Sequence, residues 1–206
     1  NGILFDFQPN NLILVGTDSF RLAKKVISDS QLESNWHEEK IIVPLKTSIE
    51  LTMVLKDYSV VNIYYDNSQI VFVNDELEII SRIINGHFPD YEAIIPNTFE
   101  NDVVIEKGGL INGLKLAGIF SSKVNDVRLK IRDDKRLMEI YSSNSQLGEN
   151  KYILPIKATK LLNEIIFNWR YFLDGLKTIE DKDIFMGINS SDKPVFIKLE
   201  NYKDVL

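Results

Sequence analysis

The side chains able to do chemistry are scattered along this chain, and their spacing speaks against a catalyst. Its two histidines, His37 and His87, have no partner at the spacings that hold a metal ion. Gly108-Gly109 is an isolated pair, the start of a helix rather than a phosphate-cradling loop. No serine sits in the context of a nucleophile elbow, and the carboxylates are dispersed. A triad assembled only by folding stays open. A hydrolase built on convergent carboxylates is therefore one alternative, recognisable by two acidic groups of shifted pKa in one cleft. Cysteine is absent, which removes disulfides and thiol chemistry and points to a reducing cytoplasm. Asn189-Ser190-Ser191 has the form of a glycosylation acceptor, but in a cysteine-free chain it reads as a hairpin turn. Asp18 and Arg21, in Gly16-Thr17-Asp18-Ser19-Phe20-Arg21-Leu22-Ala23, read by themselves as a turn closed by a local ion pair of little energetic worth.

The elements that carry these residues come twice. Overlaid on itself at an offset of 125, the chain sets Leu4 on Leu129, Leu12 on Leu137 and Thr17-Asp18 on Ser142-Ser143. One residue of slippage later, at an offset of 124, the stretch from Glu39 to Lys46 falls on that from Asn163 to Arg170. A period this long is a whole small domain, not a solenoid unit. The expectation is one α+β domain used twice, mostly strand with helices on one face, over residues 1–90 and 91–206, divided at Gly86-His87-Phe88-Pro89-Asp90. The second copy has a strand and a helix between about Asp102 and Ser122 without counterpart in the first. The first copy runs on through Leu77 to Ile84, where the second reaches only Asp204-Val205-Leu206. The first copy is thus expected to lack its N-terminal part and the second to have an incomplete last strand. A net charge of −6 argues against a broadly basic nucleic-acid binder but does not locate the lysines. No apolar run approaches the roughly 18–20 residues of a membrane span, so no membrane partner is expected.

Turn signals and periodicity outline the elements. Strands are expected over Ile3–Phe7, Leu12–Gly16, Arg21–Ser28 and Lys40–Val43, with Asp29–Glu38 a polar loop. Pro44 should open a helix at its first turn, with Leu45, Ile49 and Met53 as one apolar stripe. Strands follow at Val60–Tyr65, Gln69–Asn74 and Leu77–Ile84. The second copy reads as a strand Val103–Glu106, a helix Gly109–Ser121 with Leu110, Leu114 and Ala117 apolar, and a hairpin Val127–Ile131 with Leu137–Tyr141 around Asp133-Asp134-Lys135. Strands Tyr152–Ile156 and Glu164–Phe167 come next, then Asn168 as N-cap of a helix Trp169–Thr178, then Ile184–Ile188 paired with Val195–Leu199.

The segment Gly16 to Ala23 resembles the Thr-Asp-Gly-His-Arg-Leu-Ala signature of bacterial DNA sliding clamps, the beta subunits of DNA polymerase III. Val43-Pro44-Leu45-Lys46 before an amphipathic helix, Gly86-His87-Phe88-Pro89-Asp90-Tyr91 and Val127-Arg128-Leu129 occur in the order the family has them. The resemblance covers essentially the whole chain. It implies three similar domains per subunit, with antiparallel sheets outside and paired helices lining the inner face. It implies a head-to-tail homodimer, joined by strand pairing at sheet edges into a ring around double-stranded DNA. This chain would hold most of the middle and last domains. The implied role is a non-catalytic processivity factor without cofactor, which receives peptides of the replicative polymerase and clamp loader in a groove between middle and last domains. Carried over residue by residue, the groove includes Thr17, Ser19, Phe20, Arg21, Leu22, Pro89 and Ile94, with Pro194 less securely aligned. Ser19 and Phe20 stand where the family often has Gly and His, which implies a narrower, more apolar groove. The family's closing Met-Pro-x-Arg stretch is absent, and with it part of the groove floor.

A closed ring is retained by topology, so its lining need only be mildly positive. The expected DNA-facing residues are Lys46, Lys56, Lys107, Lys115, Arg170 and Lys177, set against Glu50, Asp57, Glu106 and Asp174. Charged helix faces are also ordinary solvated faces. A tandem peptide-binding scaffold without a DNA role is therefore the other alternative.

Overall fold

A computed structural model describes residues 2–132 and 134–199. They form two compact units, the first ending at Glu92 and the second starting at Ala93. Asp133 of the expected hairpin turn and the stretch Asp204-Val205-Leu206 lie outside the described residues.

In unit 1, β1 (Gly2–Gln8), β2 (Asn11–Thr17), β3 (Leu22–Ser28) and β4 (Glu39–Pro44) make one antiparallel sheet in the order β3-β2-β1-β4. Successive side chains of a strand point to opposite faces. Phe5 stands opposite Leu14 on one side and Ile41 on the other, and Phe7 opposite Leu12. These residues, with Val43 and Leu51, close the core. Leu4, Asp6, Ile13 and Val15, which alternate with them, belong to the outer face. α1 (Leu45–Val54) covers the core face. β5 (Asn62–Tyr65), β6 (Gln69–Val73) and β7 (Glu78–Arg82) form a separate antiparallel sheet, and its Ile70 and Phe72 reach the same core.

Unit 2 runs β8 (Asn101–Glu106), α2 (Lys107–Ile119), β9 (Asp126–Ile131), β10 (Leu137–Asn144), β11 (Gly148–Ala158), β12 (Leu162–Asn168), α3 (Trp169–Lys177), β13 (Asp183–Ile188) and β14 (Phe196–Leu199). Its sheet is continuous, in the order β12-β9-β10-β11-β8-β13-β14. β11 is longer than Tyr152–Ile156 because it serves two neighbours: Gly148 to Pro155 pair with β10, and Ile156 to Ala158 pair with β8. β8 therefore joins what in unit 1 are two separate sheets.

The internal repeat is present, but its register differs from the leucine matches. Phe5 and Leu129 both face a core, at an offset of 124 (129 − 5), and so do Val43 and Phe167 (167 − 43). The matches of Leu4 with Leu129 and Leu12 with Leu137 set an outer-face residue on a core residue, or the reverse. A slip of one residue exchanges the two faces of a strand. Leucine identity had drawn the overlay one position off, because Leu occurs on both faces of these strands.

Two helix starts also move. Pro44 ends β4 and occupies the N-cap of α1, with an extended ψ of 138°, so Leu45 is the first helical residue. α2 starts two residues before Gly109, because the Glu106 carboxylate accepts from the Gly108 and Gly109 amides and caps the helix itself. The stripe Leu45, Ile49 and Met53 is not buried: the three are 48%, 51% and 60% exposed, and Leu51 is the buried residue of α1. At the offset of 124 their counterparts in α3 include Trp169, which packs against Gly118 of α2, and Leu173, which is buried. Among the described residues of unit 1 no second α-helix accompanies α1, and the other helical element is one 3₁₀ turn at Asp29–Gln31. Leu110, Leu114 and Ala117 of α2 are fully buried, as their spacing requires.

The approach of α2 to α3 is set by glycine. A Cβ on Gly118 would stand 2.5 Å from Cε2 of Trp169, whereas one on Gly175 of α3 would meet nothing within 4 Å. Gly118→Val should thus cost about 1–3 kcal/mol by overpacking. Gly175→Ala should add about 0.5–1 kcal/mol by restricting the unfolded chain. Thermal melting of the two variants checks both signs.

Candidate functional site

The turn between β2 and β3 is built around the Asp18 carboxylate. Oδ1 accepts from the amides of Phe20 at 3.2 Å and Arg21 at 3.1 Å, and Oδ2 accepts from Arg21 Nε at 2.9 Å. Thr17 Oγ1 donates to the Arg21 carbonyl at 2.9 Å, closing the mouth of the turn. An aspartate that bonds the amides ahead of it mimics a backbone turn, which is why this residue type starts the loop. Ser19 has φ of 72°, the left-handed region that favours glycine. The turn projects Phe20, 79% exposed, into solvent. Burial pulls the Asp18 pKa up, but the donors from the Arg21 side chain and the Phe20 and Arg21 amides outweigh it and hold it below 3.8. Five expected groove residues, Thr17, Ser19, Phe20, Arg21 and Leu22, thus share one turn. Leu22 is half-buried at the start of β3, opposite Thr17.

Pro89 belongs to the same unit. It lies exposed in the segment from Gly86 to Glu92, beside a cavity of about 440 Å³ whose other walls are Leu4, Lys40 and Ile42. Ile94, 46% exposed, and Pro194, in the β13–β14 connection, belong to unit 2. In that connection Asn189 accepts from the Glu100 amide at 2.8 Å and donates to the Thr98 carbonyl at 3.2 Å, a structural use of the side chain.

The basic residues have distinct surroundings. Lys46 on α1 is 89% exposed and 4.0 Å from Glu50, and Lys56 follows the helix, 3.9 Å from Asp57. Lys115 on α2 is exposed. Lys177 ends α3 and is 3.2 Å from Asp174. Arg170 donates through Nε to Asn125 Oδ1 at 2.9 Å, and its guanidinium stands 4.9 Å from the Trp169 ring. Lys107 is half-buried and donates to the carbonyls of Ile179 at 2.5 Å and Glu180 at 3.4 Å, tying the start of α2 to the end of α3. Its ammonium is the most structurally engaged of the six. Lys46, Lys107 and Arg170 share one feature. Each sits in the first turn of its helix, and none of the three first turns carries an acid. That opposes the helix dipole, which favours acids there by about 0.3–1 kcal/mol each. At α2 the Glu106 carboxylate that caps the helix offsets Lys107, while Pro44 and Asn168 leave the starts of α1 and α3 without an acidic cap.

Three further carboxyls are held below the ordinary range, each by donors of its own turn: Asp66 by Ser68, Asp126 by Ser122 and Asp192 by Ser190. Among the described residues no cluster of His, Asp and Glu is placed to hold a metal ion. No helix among them is long and apolar enough to cross a membrane. Asn125 and Asp6 escaped sequence reasoning. Asn125, at φ of 60°, orients Arg170. Asp6 is the charged residue inside an apolar strand, and that anomaly was its only signal.

The family model for the central domain of the DNA polymerase III beta subunit matches residues 1–90, and the model for its C-terminal domain matches residues 92–205. A beta sliding clamp of Staphylococcus epidermidis is 27% identical over 199 residues, covering 96% of this chain and 52% of the relative. One of Staphylococcus aureus is 26% identical over 201 residues, with the same shares. The chain spans about half the length of the curated relatives it matches. Among solved structures, the DNA polymerase III beta subunit of Thermotoga maritima superposes with a TM-score of 0.90 at 27% identity, over 98% of this chain and 55% of that one. A Pseudomonas aeruginosa sliding clamp bound to griselimycin gives 0.91 at 26% identity, again over 98% and 55%.

The turn yields a prediction with a defined sign. A depressed folded-state pKa means that Asp18 contributes fully above its unfolded value, and that the contribution is lost as pH falls through the lower folded value. The amide resonances of Phe20 and Arg21 should therefore titrate together on acidification, with a midpoint below that of an ordinary aspartate. Asp18→Asn should shift them at neutral pH while lowering stability by no more than about 1 kcal/mol, the scale of an exposed pair.

Proposed function

The chain belongs to the DNA polymerase III beta-subunit family, and on that ground we propose that it forms part of a DNA sliding clamp, a non-catalytic ring that keeps the replicative polymerase on its template. The observation that carries this reading is the first turn of each helix. Among the described residues the first turns of the three α-helices carry Lys46, Lys107 or Arg170 and no acid, with an acidic cap, Glu106, only at α2, although acids outnumber bases overall. A surface that attracts phosphate loosely has use for that pattern. Contacts of this kind go to the sugar–phosphate backbone and carry no sequence information, which suits a protein that must slide. A closed ring is held by its topology, so affinity can stay low.

In this reading the chain supplies a middle and a last clamp domain to a head-to-tail homodimer in the cytoplasm. A strand and helix ahead of β1 would complete unit 1, and the exposed Leu45, Ile49 and Met53 of α1 are the surface such a helix would cover. The turn from Thr17 to Leu22, with Pro89 of the same unit, would receive extended peptides of the polymerase and the clamp loader. Exposed Phe20 supplies an apolar anchor and Arg21 a polar register point. We take griselimycin, which the Pseudomonas aeruginosa clamp binds, to occupy the same place here.

The test uses the chain with fluorescent duplexes of unrelated sequence at low salt. Weak, sequence-indifferent binding is expected. The double variant Lys46→Glu, Arg170→Glu should abolish it, and neutralising one of the two should lower the salt slope by about 1. Selectivity among sequences, or indifference to both reversals, would sink the DNA role. A longer protein containing the chain, loaded on nicked circular DNA, should slide off once the circle is cut.

A further inference from the structure

The groove reading makes no use of Asp6, which is only 1% exposed and stands between Phe5 and Phe7 on the outer face of the unit 1 sheet. A carboxylate so buried requires partners. The Tyr91 hydroxyl donates to its Oδ2 at 3.0 Å, Gln8 Nε2 donates to Oδ1 at 2.5 Å, and the Lys40 ammonium stands 3.5 Å from Oδ2. Tyr91 is itself only 2% exposed. Its ring centroid lies 5.7 Å from the ammonium of Lys24 on β3 and 5.8 Å from that of Lys40 on β4. The ring is thus held by cations from both edges of the sheet. Burial, and then the hydrogen bond to the Asp6 carboxylate, push the phenol well above its ordinary pKa, so it remains a donor.

Tyr91 follows directly on the stretch that carries Pro89. Upstream, that stretch is fastened where the Ile84 amide donates to the Ile42 carbonyl at 2.8 Å. Between the two fastenings lies the cavity of about 440 Å³, so the stretch is not packed against the sheet along its length. Lys24, whose ammonium stands over the ring, is two residues from Leu22, where the Thr17–Leu22 turn ends. Unit 2 is an internal control. At the offset of 124 the counterparts of Leu4, Asp6 and Lys40 are Arg128, Lys130 and Glu164. There Arg128 and Glu164 pair across the surface at 3.7 Å and Lys130 is exposed. The same strands fold without a buried carboxylate on that face, so Asp6 is not a requirement of the sheet.

We propose that Asp6 and Tyr91 are positioning residues of the peptide groove: their hydrogen bond pins the stretch carrying Pro89 across the outer face of the sheet and fixes Pro89 relative to the Thr17–Leu22 turn. The proposal rests on the groove reading given above. The test is Tyr91→Phe in the 206-residue chain, which removes one hydroxyl and keeps the ring. Amide exchange at Gly86 to Glu92 should rise about tenfold, and griselimycin should bind about tenfold more weakly, the scale of one charge-assisted hydrogen bond. Asp6→Asn, which keeps an acceptor for the hydroxyl, should give a smaller effect on both. Tyr58→Phe, which removes an exposed hydroxyl bonded to Glu76, should change neither. Unchanged exchange at Gly86 to Glu92 in Tyr91→Phe overturns the pin. Faster exchange spread over all of unit 1 overturns it too, because the hydroxyl would then serve stability alone. Faster local exchange with unchanged griselimycin affinity overturns the link to the groove. If griselimycin fails to bind the unaltered chain, the groove reading falls, while exchange still decides whether the pin exists.

Discussion

Both faces of β1 are closed, and much of unit 1 depends on how. On one face Phe5 and Phe7 meet β2, β4 and α1 in an ordinary apolar core. On the other, Leu4 and Asp6 are as deeply buried as the core residues, and among the side chains bonded to Asp6 is Tyr91, 85 residues further on. A sheet can leave one face to water, and unit 2 does so with Arg128 and Lys130. Unit 1 instead spends a carboxylate, a phenol and two ammonium groups on fastening a connecting stretch. Such an arrangement is stable only while every polar member keeps its partner.

The electrostatics repeat this lesson at larger scale. Total charge argues against contact with nucleic acid, yet a basic residue sits in the first turn of each of the three α-helices among the described residues, balanced by an acidic cap only at α2. Local placement outweighs the sum because screening confines each charge to about 10 Å at ordinary salt. Acids elsewhere, such as Asp66 and Asp192, are occupied in capping their own turns and do little to the helix starts. The charges that matter are those that share a surface, and a composition cannot report that.

The local geometry of the Thr17–Leu22 turn could be read from the residues, whereas its place in a groove came from the resemblance alone. The Thr17–Leu22 turn follows from Asp and Thr chemistry, which acts over three or four residues and leaves a trace in the sequence. Asn168 as the cap of α3 was legible for the same reason. Glu106 as the cap of α2 was not, since glutamate is an uncommon cap and Gly108-Gly109 looked like the helix start. The partner of Asp6 was hidden entirely. Nothing near Asp6 in the sequence points to Tyr91, because the bond depends on a chain crossing that only folding creates.

By itself the sequence determined the doubling of one domain type, the alternation along each strand, the approximate span of each helix and the chemistry of the short turns. All of these rest on interactions between residues a few positions apart. Whereas the offset of 124 over Glu39 to Lys46 was already legible, the tertiary structure alone decided the parity of the first part of the repeat, setting Phe5 rather than Leu4 on Leu129. It also decided that the apolar stripe of α1 lies open while that of α3 is covered, and that Asp6 is buried beneath Tyr91. A period of two states that neighbours face opposite ways but not which way is inward, and that is settled only by what packs against the sheet.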